Sequence, residues 1–348
     1  MLRCASILTV FIVLLVSTLV RADEIVVQAV GDIMLGGRWG GFFDRVGYDY
    51  PFAATREILR QGDLTIGNLE TPLTNRGREY GGKRFRFRTS PAAASALKEA
   101  GFAVLTLANN HMLDYGVDGL ADTVHVLDRA GLRHSGAGTD LAEARRAVLL
   151  AVKGKRIAVL SYSLTQPVAF FAGPRRAGTA PGWPGQFRED IRNARRQADY
   201  VIVAFHWGRE GETSPSAVQV RTAHAAIDAG ADVVIGHHPH VLQGIERYKR
   251  GVVLYSLGNF AFASMSRVAR NSVIARIVLA DGVRGVELVP VNVLNREVRF
   301  QPRPLSADEG AAVVGRLGRI SGRYETTVTR RDGRYFVVLR EQLARLRP

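Results

Sequence analysis

Six short segments carry groups able to do chemistry. They are Gly31-Asp32, Asn68-Leu69-Glu70, Asn109-Asn110-His111, His206-Trp207-Gly208, Gly236-His237-His238-Pro239-His240 and Leu257-Gly258-Asn259. Together they hold five of the eight histidines in the chain. Oxygen donors from Asp, Glu and Asn mixed with imidazole nitrogens suit Zn, Mn or Fe. One or two such ions would offset the cost of placing Asp32 beside Glu70. They would also activate a water at a phosphoryl or acyl centre. His238 and His240 lie two apart around Pro239, so their rings are expected to face the same way. His237 then points elsewhere, toward a supporting carboxylate or carbonyl. Asp114, just after His111, is placed to orient that imidazole as a general acid. Taken singly, each segment has a blander explanation. A lone Gly-Asp or Asn-His suits a turn, and a lone His206 suits a hydrogen-bonded core. Their joint occurrence favours one polar site. His125 and His224 read as boundary residues of amphipathic helices, and His134 lies in a Gly-rich loop.

The elements that must position these groups are legible as short apolar runs. Residues 24–30, 64–67, 102–108, 200–205, 232–235 and 252–256 read as buried strands. Each of the six segments follows one of these runs. In open α/β sheets, ligands bind outside the carboxyl ends of the strands, so dispersed residues would converge on one rim. Helices are expected at residues 52–60, 92–100, 117–130, 187–197 and 217–229, several closing at a glycine. Lys153-Gly154-Lys155 and Asp281-Gly282 read as hairpin turns. Residues 173–185, rich in Pro and Gly, read as a surface loop. The class is α/β with added antiparallel hairpins.

Arg84, Arg86 and Arg88 alternate with Phe85 and Phe87 after Lys83. As a strand this would set the guanidiniums on one face, either as an anion-binding ladder or as a charged, protected edge. The whole chain of 348 residues carries 47 Lys+Arg against 32 Asp+Glu, a net charge of +15. Only five of the basic residues are lysine. The 47% hydrophobic content excludes a disordered chain. The single cysteine, Cys4, excludes a disulfide framework and a cysteine-ligated zinc.

Residues 1–22 have a basic start, an uncharged apolar run from Ala5 to Val20, and Val20-Arg21-Ala22 at a cleavage position. This is the pattern of a signal peptide, or of an uncleaved anchor. It predicts an exported protein, periplasmic or extracellular, of net charge +13 once Arg3 and Arg21 are removed. Export and the lack of a binding motif argue against nucleic acid as partner. Residues 296–348 form a basic extension with twelve arginines and six acids. A helix near residues 308–317 and a hairpin at Asp332-Gly333 are expected there.

Read in order, Val30-Gly31-Asp32-Ile33-Met34-Leu35-Gly36, Gly67-Asn68-Leu69-Glu70-Thr71-Pro72-Leu73, Ala108-Asn109-Asn110-His111, His206-Trp207-Gly208, Gly236-His237-His238-Pro239-His240 and Tyr255-Ser256-Leu257-Gly258-Asn259-Phe260 resemble the CapA family. These are capsule and poly-γ-glutamate biosynthesis proteins. Phe87-Arg88-Thr89-Ser90-Pro91 and Gly136-Ala137-Gly138 also fit. The resemblance spans residues 25–262. It implies a fold similar to calcineurin-like metallophosphoesterases, a two-sheet sandwich flanked by helices, over residues 23–295. The remainder would be a small α+β appendage. It further implies Asp32, Glu70, Asn110, His206, His238 and His240 as metal ligands, with Glu70 bridging, and His111 as the acid beside them. His237 and Asn259 would support the ligands. Two places depart from the phosphoesterase pattern: Met34 stands where it has a histidine, and Glu70 where it has an aspartate. The implied role is synthesis, export or attachment of an anionic polymer, beside membrane-bound capsule synthesis machinery. The alternatives are a periplasmic phosphoesterase unrelated to capsule and a non-catalytic polyanion-binding accessory protein.

Overall fold

The computed structural model describes residues 24–338. The expected signal segment 1–22, with Cys4, and the last ten residues lie outside the described residues. The chain opens with β1 (Ile25–Ile33), β2 (Leu64–Leu69), β3 (Val104–Thr106) and β4 (Arg133–Ser135), which are parallel neighbours. After the two-residue strand β5 (Ala137–Gly138) it enters a second sheet through β6 (Val148–Val152) and β7 (Lys155–Ser163). The short β8 (Gly178–Thr179) pairs with β5. Then come β9 (Tyr200–His206), β10 (Val233–His237), β11 (Ile245–Tyr248) and β12 (Gly251–Leu254). The chain returns to the first sheet with β13 (Asn271–Leu279), β14 (Val283–Asn292), the two-residue β15 (Arg303–Pro304), β16 (Thr327–Arg331) and β17 (Arg334–Val338). The first sheet runs β16-β17-β14-β13-β1-β2-β3-β4, with β15 beside β14, and the second β11-β12-β10-β9-β7-β6.

The two sheets pack face to face. Alternate residues of each central strand point into the space between them, among them Val27 and Ala29 of β1, Ile157 and Val159 of β7 and Ile202 of β9. Their neighbours point the other way and are buried under helices. Ala158, Leu160, Val201, Val203 and Phe205 pack against the helices Pro184–Arg195 and Ala217–Ala229. Val30, Leu69 and Leu105 pack with Leu97 and Leu127 of the helices Ala93–Ala100 and Gly116–Arg129. Burial on both faces is why these strands read as unbroken apolar runs rather than as alternating ones. The result is a two-sheet α/β sandwich with helices outside each sheet.

Local signals account for the element ends. A capping box of Ser216 and Gln219 starts the helix Ala217–Ala229, and Gly230 at φ +125° closes it. The hairpin turns place Lys153, Asp281 and Asp332 at positive φ before their glycines. The helix expected at 52–60 is broken. A 3₁₀ turn, Tyr50–Phe52, precedes the single turn Arg56–Leu59. Thr55 N–H bonds back three residues to Phe52 O, so the tighter ladder interrupts the α pattern. The carboxy-terminal helix is Ala307–Ser321, and β17 pairs with β14, so the extension continues the first sheet. No helix among the described residues is long and apolar enough to cross a membrane.

Candidate metal centre

Several site residues lie inside the strands rather than beyond them. Asp32 belongs to β1, Asn68 to β2, His206 to β9 and His237 to β10. Parallel pairing then fixes who meets whom. Asp32 is the register partner of Asn68, and His206 that of His237. The glycines ahead of two of these residues allow the close approach. A Cβ at Gly31 would stand 2.1 Å from Gly258 O, and one at Gly236 would stand 1.9 Å from Tyr255 O. Only hydrogen fits there.

From the first sheet come two buried carboxylates and a buried amide. Asn68 Nδ2 donates to Asp32 Oδ1 at 2.9 Å and reaches Glu70 Oε2 at 3.4 Å. Asn68 Oδ1 in turn accepts from Asn109 Nδ2 at 3.1 Å. Asn109 also donates to Leu69 O at 2.9 Å and accepts His111 N–H, which sets the turn carrying Asn110 and His111. Asn110 Oδ1 lies 2.8 Å from His206 Nε2. His111 Nδ1 lies 2.6 Å from Asp114 Oδ2. Asp114 also accepts from Lys83 Nζ at 2.6 Å and from Phe87 N–H at 2.8 Å. The Phe87 ring lies against the His111 ring, 4.3 Å between centroids.

From the second sheet come the imidazoles. His237 Nδ1 stands 3.0 Å from Asp32 Oδ1, and His240 Nδ1 stands 3.1 Å from Asp32 Oδ2. His240 Nδ1 also meets Asn259 Oδ1 at 2.9 Å. His238 donates its backbone N–H to Asp32 Oδ2 at 3.2 Å, and its ring packs 4.8 Å from that of His206. Glu70 Oε1 faces His206, His240 and His111 Nε2 atoms at 3.6, 3.8 and 3.9 Å. These are too long for hydrogen bonds, and Glu70 Oε1 has no hydrogen-bond partner. Neither do His238 Nδ1 or either ring nitrogen of His237, which sits beside Asp32 but off the hydrogen-bonding direction. Buried polar atoms are ordinarily paired. Two donors each about 2.1 Å from one ion stand roughly 3–4 Å apart. The donor set therefore fits a divalent cation. Glu70, His206 and His238 form one possible set of ligands, and Asp32, Glu70 and His240 another.

Charge follows the same geometry. Burial and then the charge on Asp32 push the Glu70 carboxyl well above its usual range. Burial also acts on Asp32, but the imidazoles of His237 and His240, 3.0 and 3.1 Å away, outweigh it and hold its carboxyl well below the usual range. Burial lowers His240 too, yet Glu70 and Asp32 overcome it and raise it to about 9. Burial, with His240 beside it, takes His238 down to about 3. Burial also lowers His206 and His111, and it lowers Lys83 against the pull of Asp114. Asp32 and His240 are thus held in their charged forms, while burial favours the neutral forms of Glu70, His206, His238 and His111.

The expected residues fall as follows. Asp32, Glu70, Asn110, His111, Asp114, His206, His237, His238, His240 and Asn259 meet in this one centre. Arg84, Arg86 and Arg88 do not form a ladder, because their segment is not a strand. Arg86 pairs with Glu79 at 3.0 Å, while Arg88 stacks over Tyr115. Arg84 and Arg86 still line a cleft of about 460 Å³ that opens on His111 and His240, with Met34, Trp39 and Phe262 in its wall. Arg88 is not among its lining residues. Four contributors carry no role in the sequence reading: Asn68, Asn109, Lys83 and Glu210, the last of which lines the cleft. Asn68 was in sight, two residues before Glu70 in the same segment.

The profile of the family described as "Bacterial capsule synthesis protein PGA_cap" matches residues 26–264. The chain belongs to that family. Among PGA_cap relatives, "Capsule biosynthesis protein CapA" of Bacillus anthracis is 35% identical over 279 residues, which cover 78% of this chain and 68% of that protein. "PGA biosynthesis protein CapA" of Bacillus subtilis strain 168 is also 35% identical, over 78% of this chain and 72% of the relative. A "Probable polyglutamine synthesis accessory protein" of Mycobacterium tuberculosis is 33% identical over 67% of this PGA_cap chain and 65% of its own length. Among solved structures, the NAD nucleotidase of Haemophilus influenzae superposes with a TM-score of 0.47 and 14% identity. That match covers 84% of this chain and 62% of the nucleotidase, so this chain spans about three fifths of its length.

Proposed function

We propose that this protein acts in the synthesis, export or attachment of a capsular or poly-γ-glutamate-type anionic polymer, through a hydrolase-like divalent-metal centre. One observation carries the metal reading: Glu70 Oε1 is buried and unpaired, with three imidazole nitrogens 3.6–3.9 Å away. Membership of the PGA_cap family and the two Bacillus relatives, named for capsule and PGA biosynthesis, support the polymer. One or two ions, Zn, Mn or Fe, would be held by Asp32, Glu70, Asn110, His206, His238 and His240. When bound, such an ion supplies a Lewis acid to a phosphoryl or carboxyl oxygen and neutralises the charge that develops there.

The chain's own groups do the rest. Asp114 accepts from His111 Nδ1 and so leaves Nε2 facing the centre, free to take up a proton and return it to a leaving group. Lys83 ties Asp114 to the backbone carbonyl of Asn110, which keeps ligand and proton carrier in one frame. Phe87 and Phe262 cover His111 and His240 and limit water. Arg84 and Arg86, at the mouth, meet an anionic substrate before it reaches the ions. In this reading the protein works outside the cytoplasm, beside membrane-bound synthesis machinery. The apolar, uncharged run from Ala5 to Val20 supports that location.

The test is elemental analysis of the purified protein spanning residues 23–348, against a His238→Ala, His240→Ala double variant. One to two ions per chain that vanish in the variant are expected. A wild-type protein that holds no ion even after reconstitution would overturn the metal reading. Phosphoesters and γ-glutamyl polymers are the substrates to try on the loaded protein.

A further inference from the structure

Glu210 lies on the loop after β9, and nothing in its immediate sequence marks it out. Its carboxylate nevertheless faces the centre. Gly211 N–H donates to Pro239 O at 2.9 Å, which pins this loop to the turn carrying His238 and His240. Gln243 Nε2 holds the same loop from the other side, through Glu212 O at 2.7 Å. So anchored, a Glu210 oxygen and one nitrogen each of His238 and His240 lie within 4.8 Å of one another. Glu210 lines the cleft above the centre together with His111 and Met34. It is exposed, and it has no hydrogen-bond or salt-bridge partner among the described residues. Its charge is felt by Glu70, Lys83 and His240 alike.

His238 also belongs to the set with Glu70 and His206, and His240 to the set with Asp32 and Glu70. Glu210 therefore meets one histidine of each set from the exposed side of the centre, while Glu70 belongs to both sets from the buried side. We infer that Glu210 is an additional carboxylate ligand of the centre, supplied from the open face of the cleft. The inference rests on the metal reading above. An exposed carboxylate on a loop can leave without unpacking the core, whereas buried Asp32 and Glu70 cannot. With an ion bound, Glu210 would hold the most exposed coordination place, the one an anionic substrate group would take over by displacing it.

The experiment is a Zn and Mn titration by calorimetry on the protein spanning residues 23–348. It compares the wild type with Glu210→Gln, Glu212→Gln and the His238→Ala, His240→Ala double variant. Glu212 carries the same charge on the same exposed loop and serves as the control for long-range attraction. Glu210→Gln should weaken binding by about tenfold or more, the size seen when a shell of a metal site is disturbed, while Glu212→Gln stays at wild-type affinity. Wild-type affinity in Glu210→Gln, or an equal loss in Glu212→Gln, would overturn the inference and leave the metal reading intact. Absence of binding in the wild type would remove both.

Discussion

At the scale of single residues, Asp114 joins three separate parts of the site. It takes hydrogen bonds from His111, Lys83 and the Phe87 backbone, and Lys83 beside it is largely buried. Removing one partner of such a pair strands the other charge. Asp114→Ala should cost about 3 kcal/mol of stability by urea denaturation in the absence of metal. The double variant Asp114→Asn, Lys83→Met should recover most of that loss. A single variant within about 1 kcal/mol of wild type would contradict the pairing described here. Most ionisable residues at the centre were legible in the sequence because they stand just after apolar runs and because two clustered carboxylates call for a cation or a shared proton. Lys83, Asn68 and Glu210 were not. Lys83 looked like the start of a charged edge, and its burial depends on the path of residues 79–89, which does not follow the strand-like alternation of Arg and Phe there. Asn68 was in sight in its segment, but its residue type alone does not say that its amide holds Asp32. Glu210 becomes relevant only through the backbone bond from Gly211 to Pro239, and loop backbone bonds leave no mark in residue types.

At the scale of elements, the turn after β10 does unusual work. His238 sits at φ +93° and His240 at φ +58°, both in the region that suits glycine. A residue with a Cβ is strained there by about 1–2 kcal/mol. With the backbone bent in this way, the His238 ring meets Glu70 and His206, and the His240 ring meets Asp32 and Glu70. It follows that at position 238, in the metal-free protein, Gly should be more stable than Ala by about 1 kcal/mol, the reverse of the usual ranking. Denaturation midpoints of His238→Gly and His238→Ala decide this, and an Ala variant at least as stable as Gly would refute it. The strands, the long helices and the hairpin turns could be read ahead because apolar runs, helix-closing glycines and Asp-Gly pairs each have one dominant local solution. The segments that failed, residues 52–60 and 84–88, share a reason. Their pattern fits a regular element, but their side chains are committed elsewhere: Phe52 and Leu59 to the core, Arg86 to Glu79, Arg88 to Tyr115.

At the scale of the whole molecule, the basic extension is built into the fold. Val314 and Leu317 of the last helix, with Tyr335 and Val337 of β17, lie in the same apolar cluster as Val27, Ile202 and Ile277. Ser321 Oγ accepts the backbone N–H of Ile245, so the helix is also tied to the second sheet. Urea unfolding should therefore show one transition by both fluorescence and circular dichroism. A chain ending at residue 304 should lose it, exposing β14 as an unprotected edge. Two separate transitions in the full protein would mean that the extension folds apart from the rest. The centre has a consequence at this scale too. Asp32, Asn68 and Glu70 come from one sheet and His206, His237, His238 and His240 from the other, so the site straddles the seam of the sandwich. Anything that draws these groups together acts as a rivet between two layers whose central strands are otherwise joined by greasy, directionless contacts. Sliding one layer over the other by a single residue would leave much of the core still oily but would scatter the donors. The polar centre thus sets the alignment of the layers, a specification that the hydrophobic interior cannot make on its own.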